Sequence, residues 1–257
     1  MKPDYGIDAP GVIRNLLLVA LACLLLWATA ALDLWSGWLG PVWIAGIAFG
    51  CLLSFSLTGL FMLWYSKVGK LRSRERLLDQ VAWTGGETVL DVGCGRGLML
   101  VAAARRLRGG KATGIDIWQT EDLSGNRPEA TLENARRERV ADRVEVRTAD
   151  MRQLPFPDGS FDVVVSCAAI HNLYKRDERD QALREIARVL APGGQVLIAD
   201  IRHLGEYAQV LRQSGCAEVR RISPVWKMLL ATLITFGSVR PGTLLARKAP
   251  LLASGGA

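Results

Sequence analysis

The residues best suited to chemistry gather around one segment, Thr88-Val89-Leu90-Asp91-Val92-Gly93-Cys94-Gly95-Arg96-Gly97. A short apolar run ends there in a glycine turn. Such a turn lets backbone N–H groups come close to a bound nucleotide, because any Cβ would block the approach. The order is Gly-x-Gly-x-Gly, whereas a dinucleotide fingerprint needs Gly-x-Gly-x-x-Gly, so the spacing argues against NAD. The chain has two histidines, His171 and His203, each just after an apolar run. That is the carboxyl edge where open α/β sheets carry their sites. The five cysteines, at 23, 51, 94, 167 and 216, show no CxxC spacing. They encode neither a disulfide framework nor a zinc site, and no metal is expected. Cys167, at a strand end, is expected to be an inert thiol rather than a nucleophile.

Positioning these residues requires a sheet. From Glu75 onward, short apolar runs alternate with charged amphipathic stretches, the pattern of a parallel sheet covered by helices. Strands are expected near 87–92, 111–117, 143–148, 161–167, 195–200, 217–222 and 242–248, with helices between them. Asn126 with Glu129 three residues on, and Pro128 between them, reads as a capping box opening a helix. The polar stretch from Gln119 to Asn126 is otherwise left to a loop that could close over a cofactor.

Asp91 to Gly97 resembles motif I of the class I S-adenosylmethionine-dependent methyltransferases. The second strand, Ala112-Thr113-Gly114-Ile115-Asp116-Ile117-Trp118, agrees with that family, and so does Ala149-Asp150-Met151 after the third. Leu154-Pro155-Phe156-Pro157-Asp158-Gly159-Ser160-Phe161-Asp162 resembles the branch that includes quinone-biosynthesis enzymes, and Val189-Leu190-Ala191-Pro192-Gly193-Gly194 matches another family turn. The likeness covers roughly residues 75 to 248. It implies a Rossmann-like, doubly wound, seven-stranded sheet, mostly parallel with the last strand antiparallel. It also implies S-adenosylmethionine as cofactor and S-adenosylhomocysteine as product. Asp91, Gly93, Cys94, Gly95 and Gly97 would line the cofactor. Asp116 would hold both ribose hydroxyls, since one carboxylate can accept two such bonds. Ile117 follows it, and Trp118 could stack on the adenine. Asp150, with Met151 beside it, would meet the adenine amine, and Ser166 and Cys167 would line the cofactor with backbone.

Methyl transfer is an in-line displacement at an activated carbon, so a protein chiefly positions the acceptor and excludes water. A hydroxyl acceptor must also lose a proton, for which a histidine is suited. His171 is the candidate base; His203 has no supporting pattern. The rival functions are a cofactor-binding membrane module without catalysis and a methyltransferase for thiols or other small molecules. A nucleic-acid role is not expected, because Ser166 to Ala169 lacks the Asn/Asp-Pro-Pro-aromatic tetrapeptide of amino-group methylation. The net charge of +7 arises largely from basic residues interleaved with acids, as on solvated helix faces.

The first quarter of the chain is different in kind. Leu16 to Leu32 and Val42 to Tyr65 are apolar runs long enough to cross a bilayer as helices. Gly37, Gly40 and Pro41 break the chain between them, and Trp35, Trp38 and Trp43 suit a headgroup belt, with Trp64 and Tyr65 on the other side. Gly46, Gly50, Ser54 and Thr58 form a small-residue ridge suited to close helix packing. Lys67, Lys70, Arg72, Arg74 and Arg76 follow as a basic cluster that would hold this side in the cytoplasm. The alternative is a cleaved signal peptide ending at Ala28-Thr29-Ala30. The expected organisation is a transmembrane hairpin over 1–66 (helices about 13–33 and 41–66), a cytoplasmic methyltransferase domain over 67–248 and a tail over 249–257. The hairpin would make the chain a multi-pass protein of the inner membrane, with the bilayer as partner and a lipophilic small molecule or lipid as substrate. Residues 224–239, apolar and too short to span a bilayer, are expected to cover the acceptor pocket.

Overall fold

The computed structural model describes residues 2–32, 41–223 and 240–250. The hairpin turn with Trp35 and Trp38, the 224–239 stretch and most of the tail lie outside these. The described chain divides into two compact units. One comprises residues 5–71 with 119–125; the other comprises 1–4, 72–118 and 126–257.

In the first unit, α1 (Pro10–Ala31) is apolar on every face after Arg14 and Asn15 near its start, and α2 (Pro41–Trp64) carries no charged residue. Pro10 opens α1 where its missing N–H costs nothing. Both helices are long and apolar enough to cross a membrane, yet only 11% of the most apolar stretch of each is buried. Leu18, Leu25, Trp43, Ile47, Leu57 and Phe61 stand more than half exposed. A patch this large calls for an apolar partner. The contact between the two helices does not use the expected ridge. A Cβ on Gly46 or Gly50 would touch nothing, whereas one on Gly59 would press on Leu17. The small residues buried on α2 are Ala48 and Gly59.

The basic cluster also departs from expectation. The helix does not stop after Trp64; it passes through a π-turn at Tyr65–Gly69 into α3 (Lys70–Leu78). Lys70, which follows the π-turn, is buried, and Nζ donates to the Tyr5 and Gly6 carbonyls and to Asp8 Oδ1. In the same unit residues 7–9 run antiparallel to 122–124, with Ala9 N–H on Asp122 O and Ser124 N–H on Ile7 O.

In the second unit Arg74 is buried as well, on Glu138. Only Lys67, Arg72 and Arg76 of the five cluster residues are exposed. The strands of this unit are β1 (Thr88–Val92), β2 (Lys111–Asp116), β3 (Val144–Thr148), β4 (Phe161–Cys167), β5 (Leu190–Asp200), β6 (Cys216–Arg221) and β7 (Gly242–Lys248). They form one seven-stranded sheet in the order β3-β2-β1-β4-β5-β7-β6. Pairing is parallel from β3 to β5, and β7 runs antiparallel to both of its neighbours. β5 begins earlier than the sequence suggests: Leu190 pairs with Phe161 and Gln195 with Val163, so Ala191–Gly194 bulge out between them.

The period-two alternation of strands sorts side chains to two faces. Leu90, Val92, Val164 and Ile198 pack with α6 (Arg176–Val189) and α7 (Leu204–Gln213), through Leu183, Ile186, Tyr207 and Leu211. Val89, Val163, Val165 and Leu197 pack on the other side with α4 (Leu98–Ala104). α5 (Pro128–Arg137) starts after Arg127, with Pro128 in its first turn. The expected capping box does not form, because the Asn126 amide turns instead to Asp116. The β1–β4 seam, where strand order reverses, lies beside the glycine turn. This is where open α/β sheets bind ligands.

Candidate active site

Gly93, Gly95 and Gly97 all have positive φ, at 74°, 53° and 84°. Side chains other than glycine rarely adopt that region. A Cβ at Gly93 would also collide with Ala169, and one at Gly97 with Thr131. The turn does not, however, present a row of free amides. The Gly93 and Cys94 N–H groups both donate to the Ile115 carbonyl at 2.9 Å, and Gly97 donates to Cys94 O. Gly95 N–H donates to Asp116 Oδ2 at 2.8 Å. The glycines thus supply room and curvature, while their hydrogen bonds are spent inside the protein. This corrects the expectation of an amide cradle.

Beneath the turn, Asp91 is 1% exposed, and neither carboxylate oxygen makes a hydrogen bond of good geometry among the described residues, the backbone of Leu100 giving only a weak one that offsets part of the cost of burial. Burial, with a smaller push from Asp116, raises its pKa to about 8. A buried carboxylate so weakly satisfied is costly unless a cation comes to it. A loop with spent amides above such a carboxylate is unsuited to phosphate and suited to a positively charged ligand. S-adenosylmethionine, with its ammonium and sulfonium groups, fits that requirement.

Asp116 closes β2. Its Oδ1 accepts the Trp118 N–H at 2.6 Å and the Asn126 side-chain amide at 3.2 Å, beside the Gly95 bond on Oδ2. These bonds fix the carboxylate and leave it part of its accepting capacity. Ile117 next to it is half exposed, an apolar shelf at the sheet edge. Trp118 sits at φ 63° with its indole N–H on Thr148 Oγ1. Asp150 is held on both oxygens by Arg152, and that hydrogen-bonded pairing keeps its carboxyl below the usual range. Met151 is partly buried and would lie in ordinary contact with a Cβ at Gly93. Ser166 spends its hydroxyl on the Val92 carbonyl at 2.8 Å, tying β4 to β1. Cys167 is partly buried. Cys94 is buried, and that burial pushes its thiol well up, so it is inert.

His171 lies in a short 3-10 turn, Ile170–Asn172, after a strained step at Ala168 (φ 52°). Ala169 abuts Gly93, so this turn and the glycine turn touch. Nδ1 of His171 is 2.6 Å from Asp200 Oδ1, with the ring tilted off hydrogen-bond alignment. Catalytic hydrogen bonds are often misaligned before substrate binds. Asp200 ends β5, is buried, and accepts the His171 N–H (3.1 Å), the Ile201 N–H (2.7 Å) and the Tyr207 hydroxyl (3.3 Å). Burial, then the nearby Asp200, drives the Tyr207 phenol above its ordinary range, so it stays a protonated donor. Asp200 and Tyr207 escaped the sequence reading. The available signal was an acid at the carboxyl end of a central strand. His203 instead caps α7 at φ 61° and faces Glu206 at 3.4 Å, a structural placement.

Residues 90–198 match the family model described as a methyltransferase domain. Methyltransferase GfsG of Streptomyces halstedii is 38% identical over 51% of this chain and 43% of its own length. A 27-O-demethylrifamycin SV methyltransferase of Amycolatopsis mediterranei is 32% identical over 63% and 54%. A fatty-acid O-methyltransferase of Mycolicibacterium smegmatis is 38% identical over 46% and 38%. The chain thus spans about half the length, or less, of these curated relatives. In fold it is similar to geranyl diphosphate C-methyltransferase of Streptomyces coelicolor in complex with S-adenosyl-L-homocysteine. That likeness has a TM-score of 0.55 at 18% identity and covers 74% of this chain and 82% of that one. Sheet order and relatives point the same way: the α/β unit is similar to the domain of the class I S-adenosylmethionine-dependent methyltransferases, with the methyltransferase-domain match confined to residues 90–198.

Proposed function

We propose that this chain is a membrane-anchored methyltransferase that moves a methyl group from S-adenosylmethionine to a hydroxyl of a lipophilic small molecule or lipid. The observation that carries the reading is His171, which is held by buried Asp200 on a turn pressed against the glycine loop. Bound cofactor supplies a methyl carbon activated by its sulfonium. Asp91 would balance its positive charge, Asp116 would accept from the ribose, and Ile117, Trp118, Met151 and Asp150 would border the adenine. Gly93, Gly95 and Gly97 leave room, and Cys94, Ser166 and Cys167 line the floor. His171 takes the acceptor proton, most simply on Nε2, and Asp200 orients the ring and stabilises the imidazolium.

The lipophilic acceptor and the anchor rest on α1 and α2, whose apolar faces are mostly exposed. Further support comes from the fatty-acid and geranyl diphosphate enzymes among the similar proteins. The exposed Lys67, Arg72 and Arg76 favour a cytoplasmic, inner-membrane orientation. Residues 224–239, outside the described chain, are proposed as the acceptor cover. The test is transfer of labelled methyl from cofactor to fractionated lipids, quinones and aqueous thiols by membranes that carry the chain. Label in a lipophilic hydroxyl fraction is expected. Label confined to thiols would replace the hydroxyl reading.

A further inference from the structure

The cofactor turn is held from outside by an unexpected part of the chain. α5 presents Thr131 and Asn134, three residues apart and so on one face, to the loop carbonyls. Thr131 Oγ1 donates to Gly95 O at 2.7 Å, and Asn134 Nδ2 donates to Arg96 O at 2.9 Å. Both side chains are buried, at 0% and 1% exposure. Asn134 has a second set of partners. Its amide brackets Asp4: Nδ2 donates to Asp4 O at 2.8 Å, while Oδ1 accepts Asp4 N–H at 2.9 Å. The Asp4 carboxylate in turn pairs with Arg96 NH2 at 3.0 Å, and Arg137 binds the Lys2 carbonyl. Arg96 is the residue between Gly95 and Gly97. Residues 2–4 are therefore laid along α5 and fastened to the loop at its centre, by backbone through Asn134 and by charge through Arg96.

We infer that Asp4, Asn134 and Arg96 are positioning residues for the cofactor, and that the segment ahead of the first apolar helix completes the cofactor site. A carbonyl held by a buried amide has one orientation. Asn134 fixes the peptide after Arg96 in the conformation that keeps the turn open above Asp91. Asp4 holds Asn134 in the required rotamer and neutralises the Arg96 guanidinium beside a ligand that is itself cationic. Without residues 2–4, Arg96 loses the Asp4 carboxylate that offsets its charge near the positive cofactor, and the Asn134 amide loses the backbone that orients it.

The inference rests on the loop being the S-adenosylmethionine site, so the experiment measures that first. S-adenosylmethionine, without acceptor, is titrated calorimetrically into the full chain in detergent micelles, wild type against Asp4→Ala, a deletion of residues 2–4, Asn134→Ala, and Asp4→Lys combined with Arg96→Glu. Absence of binding by wild type removes the site reading and the inference with it. With wild type binding, Asp4→Ala should weaken affinity about threefold, in the range of a partly exposed ion pair, and the deletion about tenfold, as a modest coupling between sites. The exchanged pair should recover most of the Asp4→Ala loss. In steady-state turnover the cofactor KM should rise with the Kd while the acceptor KM stays put. Should Asn134→Ala fail to fold, the Asp4 variants decide alone. Unchanged cofactor affinity in both Asp4→Ala and the deletion overturns the inference, as does a lowered melting temperature with cofactor KM and Kd intact.

Discussion

Glycines do different work in the two units. Gly93, Gly95 and Gly97 in the α/β unit adopt backbone that other residues avoid, and Gly93 and Gly97 touch neighbours that leave no room for a Cβ. Gly46 and Gly50 in α2, equally regular in spacing, face open space. Regular spacing of small residues is therefore informative only where something else fixes which way they face. In the α/β unit that information comes from the alternation of polar and apolar residues, which marks the inward side of every element. In the hairpin helices no face carries a charge beyond Arg14, so no periodicity tells a packing face from a lipid-like one.

Substitutions in the two units should have effects of very different size. The largest effect is expected at His171. His171→Ala should lower kcat by about 10²- to 10⁴-fold, the usual range for a positioned acid–base group, with S-adenosylhomocysteine affinity nearly unchanged in calorimetry. Asp200→Asn should follow in the same direction by a smaller factor, since the imidazole remains but loses its orienting charge. A full-rate His171→Ala would make the pair structural.

Next comes Gly93→Ala. It combines a positive φ, which costs roughly 1–2 kcal/mol for an L residue, with a collision at Ala169 that must push the His171 turn. Loss of both stability in denaturant unfolding and kcat is expected. The equivalent change at Gly50 should leave both alone.

Asp91 gives a pH signature. Its folded pKa of about 8 lies above its ordinary value of 3.8, so the protonated form is favoured by folding. Its contribution to stability is then full below the ordinary carboxylate pKa and is lost as pH rises toward and through about 8. Without cofactor, thermal stability should fall over that window, and Asp91→Asn should flatten the fall. A cationic cofactor reverses the preference, so binding at pH 7 should release a proton, seen as a dependence of calorimetric heat on buffer ionisation. Asp91→Asn should abolish the release and weaken affinity by one to two charge-assisted hydrogen bonds, about 1.5–3 kcal/mol each. Proton uptake on binding would contradict this.

The smallest effect belongs to the hairpin. Gly59→Leu must displace Leu17 and should destabilise helix pairing by about 1–3 kcal/mol, as overpacking does. Gly46→Leu should be silent. Melting of the two variants in micelles separates them, and equal losses would restore the ridge at Gly46 and Gly50.

These contrasts show what the sequence made legible. Strands β1, β2, β3, β4, β6 and β7 lie within a residue of their expected bounds, because short strand-forming runs bounded by turn residues mark their ends whichever way they pair. β5 alone extended further, since the family turn at Ala191–Gly194 is a bulge inside the strand. Asp91, the glycine turn and Asp116 were readable as a local motif. Asp200 was not, because a single acid at a strand end carries no pattern; its meaning comes from His171, which folding brings beside it. Lys70 and Arg74 misled in the opposite sense. Their charge suggested a headgroup-facing cluster, but both are buried on hydrogen-bond partners, Lys70 on the Tyr5 carbonyl and Arg74 on Glu138. Asn126 likewise was drawn from capping to Asp116 by a long-range bond.

The central claim is catalysis on a lipophilic acceptor by a cofactor-binding domain carried on an apolar hairpin. Its most direct test reconstitutes the full chain in lipid vesicles with labelled S-adenosylmethionine and an extract of membrane lipids, and counts S-adenosylhomocysteine formed against label in the lipid phase. The account predicts equal amounts of the two, strongly reduced in His171→Ala, with the protein floating with the vesicles. Tight S-adenosylhomocysteine binding without turnover on any lipid fraction, or a chain that stays in the aqueous phase, would contradict it.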